Sequence, residues 1–359
     1  MNFNLPMDLF PIYVRQGKSR TRYKVGYINS NGAVAIDPIF DDGTLFHEEL
    51  ASVRVGRCWG FINASGNFVI PPTLAGWGRF REGLSTTPVG KKGLHAIIDK
   101  TGNVAIPAKY PYVGDFHEGV ALFRNGPGKA STRFGFLDRS GREAIPAVFH
   151  SAQRFSGGLA AARVGSLWGY IEPSGVFKIT PRFEATRLGP KGPRDTEIGS
   201  FSQGLAFVWG GNGYGFIDKI GNFVTRNNLE EADDFREGRA RIRLTQQKRF
   251  GYIDLSGAVA IEPRFPSASA YFSEGLASVR GRESKPDYSR GPASVKFDQM
   301  APYGFIDREG NMVIEPRFFN THSFQAGLCL VQTEKTIGYI NKKGEYVWEG
   351  PYVEYGIVL

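Results

Sequence analysis

Cysteine is nearly missing from this chain: Cys58 and Cys329 are the two in 359 residues, and they stand near opposite ends. A disulfide framework needs clustered cysteines and a structural zinc site needs ligands paired a few residues apart, so neither organises this fold. Such usage suits a reducing compartment. Long apolar runs are missing too. Residues Met1 to Pro11 form a lead-in with Asp8 and two prolines, and no basic stretch there runs into a hydrophobic segment. With no leader and no stretch long enough to cross a bilayer as a helix, the expectation is a cytoplasmic protein without membrane insertion.

Helical periodicity is a third absence. No segment outside two insertions repeats apolar residues every 3.6 positions over ten or more residues, which argues against a helical protein. Catalytic signatures are a fourth. The five histidines, His47, His95, His117, His150 and His322, form no H-E-x-x-H or similar metal spacing. Neither a G-x-S-x-G elbow nor a P-loop occurs, and Gly210-Gly211-Asn212-Gly213 opens no helix, so it is no dinucleotide fingerprint. The expectation is a protein that is not an enzyme and carries no cofactor or metal.

What the chain has in abundance is glycine, phenylalanine and tyrosine: 46, 28 and 15 residues. That balance belongs to short aromatic strands joined by tight turns. A cassette organises them. It reads F-x-E-G-L-A, about ten residues, aromatic-Gly-aromatic-Ile-Asp-x-x-Gly, then V-I-x-P-x-F. Its second half appears nine times, on the pairs Gly26/Gly32, Gly60/Gly66, Gly135/Gly141, Gly169/Gly175, Gly215/Gly221, Gly251/Gly257, Gly304/Gly310 and Gly338/Gly344, with Ala96 replacing the first glycine before Gly102. The first half begins at Phe46, Phe80, Phe116, Phe155, Phe201, Phe235, Phe272 and Phe324. Where nothing is inserted the period is 34 residues, the mark of a repeat architecture.

Each copy predicts a three-stranded antiparallel meander. In the copy from Phe46 to Phe80 the strands fall near Leu50–Val55, Trp59–Asn63 and Phe68–Ile70. Asn63-Ala64-Ser65-Gly66 suits a type I turn followed by a left-handed glycine. Proline at 38, 72, 181, 263 and 316 reads as the end of the third strand. Apolar residues of both parities, Phe61 beside Ile62 and Val69 beside Ile70, predict that both faces of each sheet are covered by neighbours. The repeat runs as one domain over residues 12–352, with insertions from Glu184 to Ser200 and Arg282 to Met300 and a tail at 353–359. The fold class is all-β, a tandem array of about nine such meanders. An open or superhelical array is favoured over a closed β-propeller, whose blades carry four strands and usually number four to eight.

The Trp59-Gly60 and Trp168-Gly169 dipeptides, with F-x-E-G-L-A upstream and G-Y-I-D/N-x-x-G downstream, make the chain resemble the WG (KWG) repeat family of bacteria. Most copies replace the tryptophan, as at Phe134, Tyr214, Phe250, Tyr303 and Ile337. The resemblance implies a β-repeat scaffold with no known catalytic motif, and little about activity.

Candidate functional residues follow from repeat phase. Four positions after the cassette leucine stand Arg54, Arg124, Arg163, Arg243 and Arg280, with Trp209 and Gln332 in two other copies, and Arg239 and Arg241 extend the line in the seventh. Stacked in register, these would form a stripe able to grip carboxylates or phosphates, or one that covers apolar surface with arginine stems. Insertion residues Arg187, Lys191 and Arg194 are further candidates. The tiled acids Glu48, Glu82, Glu118, Glu237 and Glu274 read as turn caps rather than catalytic groups. The net charge of +9, scattered among 35 acids, suits solubility first and an acidic partner second. The leading expectation is a non-catalytic scaffold for a protein partner with an acidic surface, in its sharpest form a toxin antagonist or immunity protein. Nucleic-acid and carbohydrate binding are the alternatives, and oligomeric state is left open.

Overall fold

The computed structural model describes residues 8–16, 23–89, 93–126, 132–184, 198–244, 247–282 and 301–351. Among these every regular element is a β-strand. The chain divides into two compact units, Met1–Phe155 with Val353–Leu359, and Ser156–Tyr352. In the first unit the sheets are Phe10–Arg15, Tyr23–Ile28 and Val34–Phe40; Asp42–Gly43, Ala51–Val55, Cys58–Ile62 and Phe68–Leu74; Leu84–Val89, Leu94–Asp99 and Val104–Tyr110; and Tyr112–His117, Val120–Asn125, Arg133–Asp138 and Glu143–Phe149. The second unit repeats the motif, ending in Asn320–Thr321, Cys329–Gln332, Thr336–Ile340 and Tyr346–Pro351. The expected three-stranded meander is thus present, and most copies add a short fourth strand. That strand pairs just ahead of the F-x-E-G turn, as in Asp42↔Arg54 and Gly43↔Val53. In one place the fourth strand is continuous with the third strand before it: Phe223–Ala232 runs through two repeats and fuses them into a six-stranded sheet.

Both predicted turns form. Asn63 Oδ1 accepts from the backbone N–H groups of Ser65 and Asn67 at 3.0 and 3.1 Å, and Gly66 lies at φ 78°, the left-handed bulge position. The F-x-E-G segment is a tighter device than the sequence implies. His47 and Leu50 exchange backbone hydrogen bonds around two residues, and the glutamate itself has positive φ in Glu48, Glu82, Glu118, Glu237 and Glu274. This is the geometry of a two-residue hairpin with both central residues left-handed.

Proline does not end the third strand, as expected, but sits at a bulge within it. Phe61 pairs with Ile70 and Trp59 with Leu74, so strand three spends four residues where strand two spends two. Proline lacks the N–H that this departure from the ladder would leave without a partner. The bulge presses on the second strand. A Cβ on Gly60 would lie 2.6 Å from the Ile70 carbonyl oxygen and 2.8 Å from Pro72 N, which is why glycine follows the aromatic residue. The expectation that both sheet faces are covered holds for the second strand, where Phe61 and Ile62 are buried. It fails on the third. Ile70 is buried while Phe68 and Val69 are exposed, because the register shifts between the Ile62↔Phe68 and Phe61↔Ile70 pairs and so breaks the regular alternation of inward and outward residues.

Repeats are joined by rings and by charge. The second-strand aromatic of one copy meets the cassette phenylalanine of the next edge-on, as Phe61 with Phe80 at 4.8 Å and Tyr252 with Phe272 at 4.9 Å. The cassette glutamates cap turns as expected, but the turn each one caps belongs to the following repeat. Glu48 accepts from Gly83 N at 2.9 Å, Glu82 from Gly119 N at 3.0 Å, and Glu237 from Glu274 N and Gly275 N at 2.7 and 2.8 Å. A cation from the following copy often completes the grip: Lys100 on Glu48, Arg139 on Glu82, Arg308 on Glu237 and Lys342 on Glu274. Gln203 makes the neutral version of the same contact, to Gly238 N at 2.8 Å.

Two predictions follow from this geometry. Gly60→Val, which must displace the bulge, should cost at least about 3 kcal/mol, whereas Gly56→Val, left-handed but facing open space, should cost about 1–2 kcal/mol. Equal urea-unfolding losses at the two sites would refute the bulge contact. Glu82→Ala, which abandons a charged hydrogen bond, should cost about 1.5–3 kcal/mol, while Glu82→Gln keeps the acceptor for Gly119 and should cost under about 0.5 kcal/mol. Thermal denaturation of both variants decides whether the backbone contact or the ion pair carries the joint.

Candidate functional site

The register places each candidate arginine directly across from the residue preceding the aromatic-Gly glycine. Arg54 faces Trp59, Arg124 faces Phe134, Arg163 faces Trp168, Arg243 faces Phe250 and Arg280 faces Tyr303; Trp209 faces Tyr214 in the same way. Guanidinium carbons lie over those rings at 5.9 Å for Arg54 and Arg163, 5.4 Å for Arg243 and 4.3 Å for Arg280. These are cross-strand cation–π pairs, with the arginine stem covering the ring. Hydrogen bonds hold the heads locally. Arg54 donates to the carbonyls of Gly56 and Asp41 at 3.1 and 3.2 Å, Arg163 to Gly165 at 2.9 Å, and Arg243 reaches Glu230 and Glu231 at 3.1 and 3.3 Å. Arg241 shares the Phe250 ring, bonds Asp233 at 2.7 Å and donates to the Ala268 carbonyl at 2.7 Å. Arg239 donates to the carbonyls of Arg308 and Gly238. Each of these arginines except Arg124, which is placed only by its register across from Phe134, is therefore engaged inside its own unit. Arg187, Lys191 and Arg194 lie outside the described residues, as does most of both insertions.

A second set of arginines carries no distinctive signal in the sequence beyond the P-R-F triplet. Arg182 and Arg264 each donate to the turn-glycine carbonyl of the next repeat, Gly221 and Gly310, at 2.5 Å, and Arg317 donates likewise to Gly344. Each guanidinium covers its own strand-end ring, Phe183, Phe265 or Phe318. All three belong to the second unit. In the first unit the same phase holds Ile39, Thr73, Lys109 and Val148, and the exposed apolar positions of the edge strands recur: Ile39 and Val104 are 60 % exposed and Val148 58 %.

The first unit also gathers charge at its F-x-E-G turns. Arg79 Nε lies 2.8 Å from Asp115 Oδ2, and Arg81 Nε lies 3.8 Å from the same oxygen. Burial, then Arg79 and Arg81, hold the His47 imidazole below its ordinary pKa; burial, then Arg154 and Arg81, do the same to His117. Burial likewise lowers His95, although its bond to the Val113 backbone opposes the shift. The consequence for pH has a definite sign. An imidazole whose folded pKa is depressed binds fewer protons folded than unfolded, so its stabilising contribution is lost as pH falls through the unfolded value near about 6.5. The urea midpoint should therefore be lower at about pH 5.5 than at about pH 7.5, and replacing His47, His95 and His117 together with Gln should shrink the difference. An unchanged midpoint across that interval would show that these rings titrate freely.

Among the described residues no cluster of three or more histidine, cysteine or acidic side chains could hold a metal ion. No helix of the described residues is long and apolar enough to cross a membrane. Comparison with known proteins adds three findings. No curated protein matches the sequence. In fold, the chain is similar to a crystal structure of the eukaryotic initiation factor, with 12 % identity, 97 % of each chain covered and a TM-score of 0.59. A weaker similarity, with a TM-score of 0.37, is to AztD of Citrobacter koseri at 11 % identity, covering 73 % of this chain and 89 % of that one. The model of the WG containing repeat matches seven segments, 26–57, 59–89, 97–129, 134–168, 214–245, 250–280 and 303–336; five begin at the aromatic residue of an aromatic-Gly step, the first at Gly26 after Val25 and the third at Ile97 after Ala96. With well over half of its residues matched, the chain belongs to the WG containing repeat family.

Proposed function

We propose that this chain is a non-catalytic scaffold that recognises a protein partner with an acidic surface. The observation that carries this reading is the chemistry of the edge strands in the first unit. Where three copies of the second unit place a ring-covering arginine that ties strand to turn, the first unit leaves Ile39 and Val148 in water, alongside exposed Val34, Phe68, Val69 and Val104. Recurring exposed apolar side chains at sheet edges, bordered by polar strands, suit a protein–protein contact. The charge of the chain adds orientation: with +9 overall, an approaching acidic surface is steered and like-charged surfaces are turned away. In its sharpest form the partner is a toxin that the scaffold neutralises by covering its active surface. The arginine stripe contributes rim contacts through the guanidinium edges not turned toward their rings.

The test is capture from the native host with the intact chain and with an Ile39→Asp, Val104→Asp, Val148→Asp variant, both after nuclease treatment. The intact chain should retain a protein whose association slows with salt, and the variant should lose it while keeping the same circular dichroism. Purified scaffold should also suppress whatever activity the captured protein has. A nuclease-sensitive nucleic acid in place of a protein, or equal capture by the variant, would sink the reading.

A further inference from the structure

The F-x-E-G turn carries one side chain, x, and is preceded by another, and the scaffold makes small demands on both. In the second unit the x position is Ser156, Ser202, Arg236, Ser273 and Gln325, and each of the three serine hydroxyls donates to the backbone carbonyl of the next cassette phenylalanine, Phe201, Phe235 and Phe324, at 2.7, 2.5 and 2.6 Å. A serine suffices for the joint. In the first unit the same position holds His47, Arg81 and His117, and the residue before the phenylalanine is Leu45, Arg79, Asp115 or Arg154. Successive turns thus line up arginines and imidazoles in one row, at an x position where a serine also completes the joint.

The charges there do not cancel. Glu48 and Glu82 are already engaged, Glu48 by Gly83 N and Lys100, Glu82 by Gly119 N and Arg139. Asp115 is left to serve Arg79 and Arg81 through one oxygen, at 2.8 and 3.8 Å. Arg154, exposed at the end of the row, acts electrostatically on both Arg81 and His117. Arg79, Arg81 and Arg154 thus outnumber Asp115, the carboxylate paired with two of them, while Glu48 and Glu82 also act on the row but are shared with Lys100 and Arg139. Like charges gathered this way repel one another and are kept only by a structure that prevents their separation. A group carrying two negative charges and several acceptor oxygens removes the imbalance, and planar guanidinium forks bind such oxyanions bidentately.

We infer that the turns bearing His47, Arg79, Arg81, His117 and Arg154 form a binding site for a doubly charged phosphoryl group, either free phosphate or a phosphorylated side chain of another protein. Arg81 and Arg154 grip the oxygens, Arg79 holds Asp115 aside, and the imidazoles of His47 and His117 border the group. The site shares no residue with the edge strands assigned to partner contact and stands or falls separately from them.

The imidazole C–H signals of His47 and His117, assigned from single His→Gln variants, are the probe, because an added anion beside them must raise their pKa. Inorganic phosphate should shift both signals saturably and leave His95 unmoved, while chloride at matched ionic strength should not. Arg154→Gln, an exposed change, and Arg81→Gln should each weaken the response at least about tenfold with unchanged circular dichroism. A phosphoserine peptide that competes more tightly than phosphate would assign the ligand to a partner side chain; equal or weaker competition would assign it to free phosphate or a small phosphorylated molecule. The proposal is overturned if chloride reproduces the shift, if an unphosphorylated acidic peptide competes as well as its phosphorylated form, or if Arg154→Gln responds like the parent chain.

Discussion

A single close approach recurs through the repeats: the third strand presses on the second at the glycine of the aromatic-Gly step. The ideal Cβ position lies only 2.4–2.6 Å from a backbone carbonyl oxygen in Gly26, Gly60, Gly135, Gly169, Gly215, Gly251, Gly304 and Gly338, so a side chain there must move the strand, and the third repeat alone carries a Cβ at this position, that of Ala96. The bulge lets an isoleucine such as Ile70 enter the core beside Phe61 and returns the strand end beneath Trp59. The isoleucine then meets the next copy, since Gly102 of the third repeat abuts Ile70 and Gly66 of the second abuts Ile36. Packing within a repeat and packing between repeats therefore rest on the same few atoms. A sheet this small buries too little surface alone, and only neighbours that accept its isoleucine and phenylalanine make it stable.

Charge in this molecule works at three levels that composition cannot separate. Arg54, Arg163, Arg243 and Arg280 cover rings across a strand pair; Arg182, Arg264 and Arg317 tie a strand end to the next turn; Arg79 and Arg81 share the Asp115 carboxylate, with Arg154 acting on Arg81 from the next turn. The first two uses engage local rings, carbonyls and acids. In the third, cations outnumber acids. The glutamate relay between successive turns adds to this partition, because each Glu spent on the following repeat is unavailable to the arginines nearby.

Much of the architecture was legible in the residues because turn chemistry leaves an unambiguous trace. Asp, Asn and Gly at fixed offsets reveal the D-x-x-G hairpin, and nine copies of it reveal the repeat. The bulge was not legible. An Ile and a Phe four residues apart share a face in a regular strand as they do in this bulged one, so Pro38 or Pro72 between them reads as an ending instead of a crossing. The left-handed glutamates were hidden as well, since Glu rarely adopts positive φ and nothing in F-x-E-G distinguishes a cap on its own turn from a cap on the next. The arginine stripe was visible as a phase, but its cross-strand partner depends on register, which the spacing of the strands does not reveal. The cluster around Asp115 was invisible for a different reason: its members share two cassette phases but change residue type from copy to copy, and only stacking brings them together.

A repeat protein whose joints are this demanding has few positions free to differ, and that restriction locates its individuality. The aromatic-Gly step, the turn glycine and the inward isoleucine are held by sterics, and substitution there is limited to residues of similar shape. The x position of F-x-E-G tolerates His, Arg, Ser and Gln, and the middle of P-x-F tolerates Ile, Thr, Lys, Val and Arg, because one faces the turn rim and the other the sheet edge. Where a tolerant position nonetheless carries a costly choice, three crowded arginines or a row of solvated aliphatics, the scaffold's own stability does not account for it. At the middle of P-x-F the exposed aliphatics Ile39 and Val148 belong to the first unit and the ring-covering arginines to the second, while exposed apolar residues at the start of the third strand, such as Val34 and Val104 or Val259 and Val313, occur in both. Two units built from one motif thus differ in the places the motif leaves open.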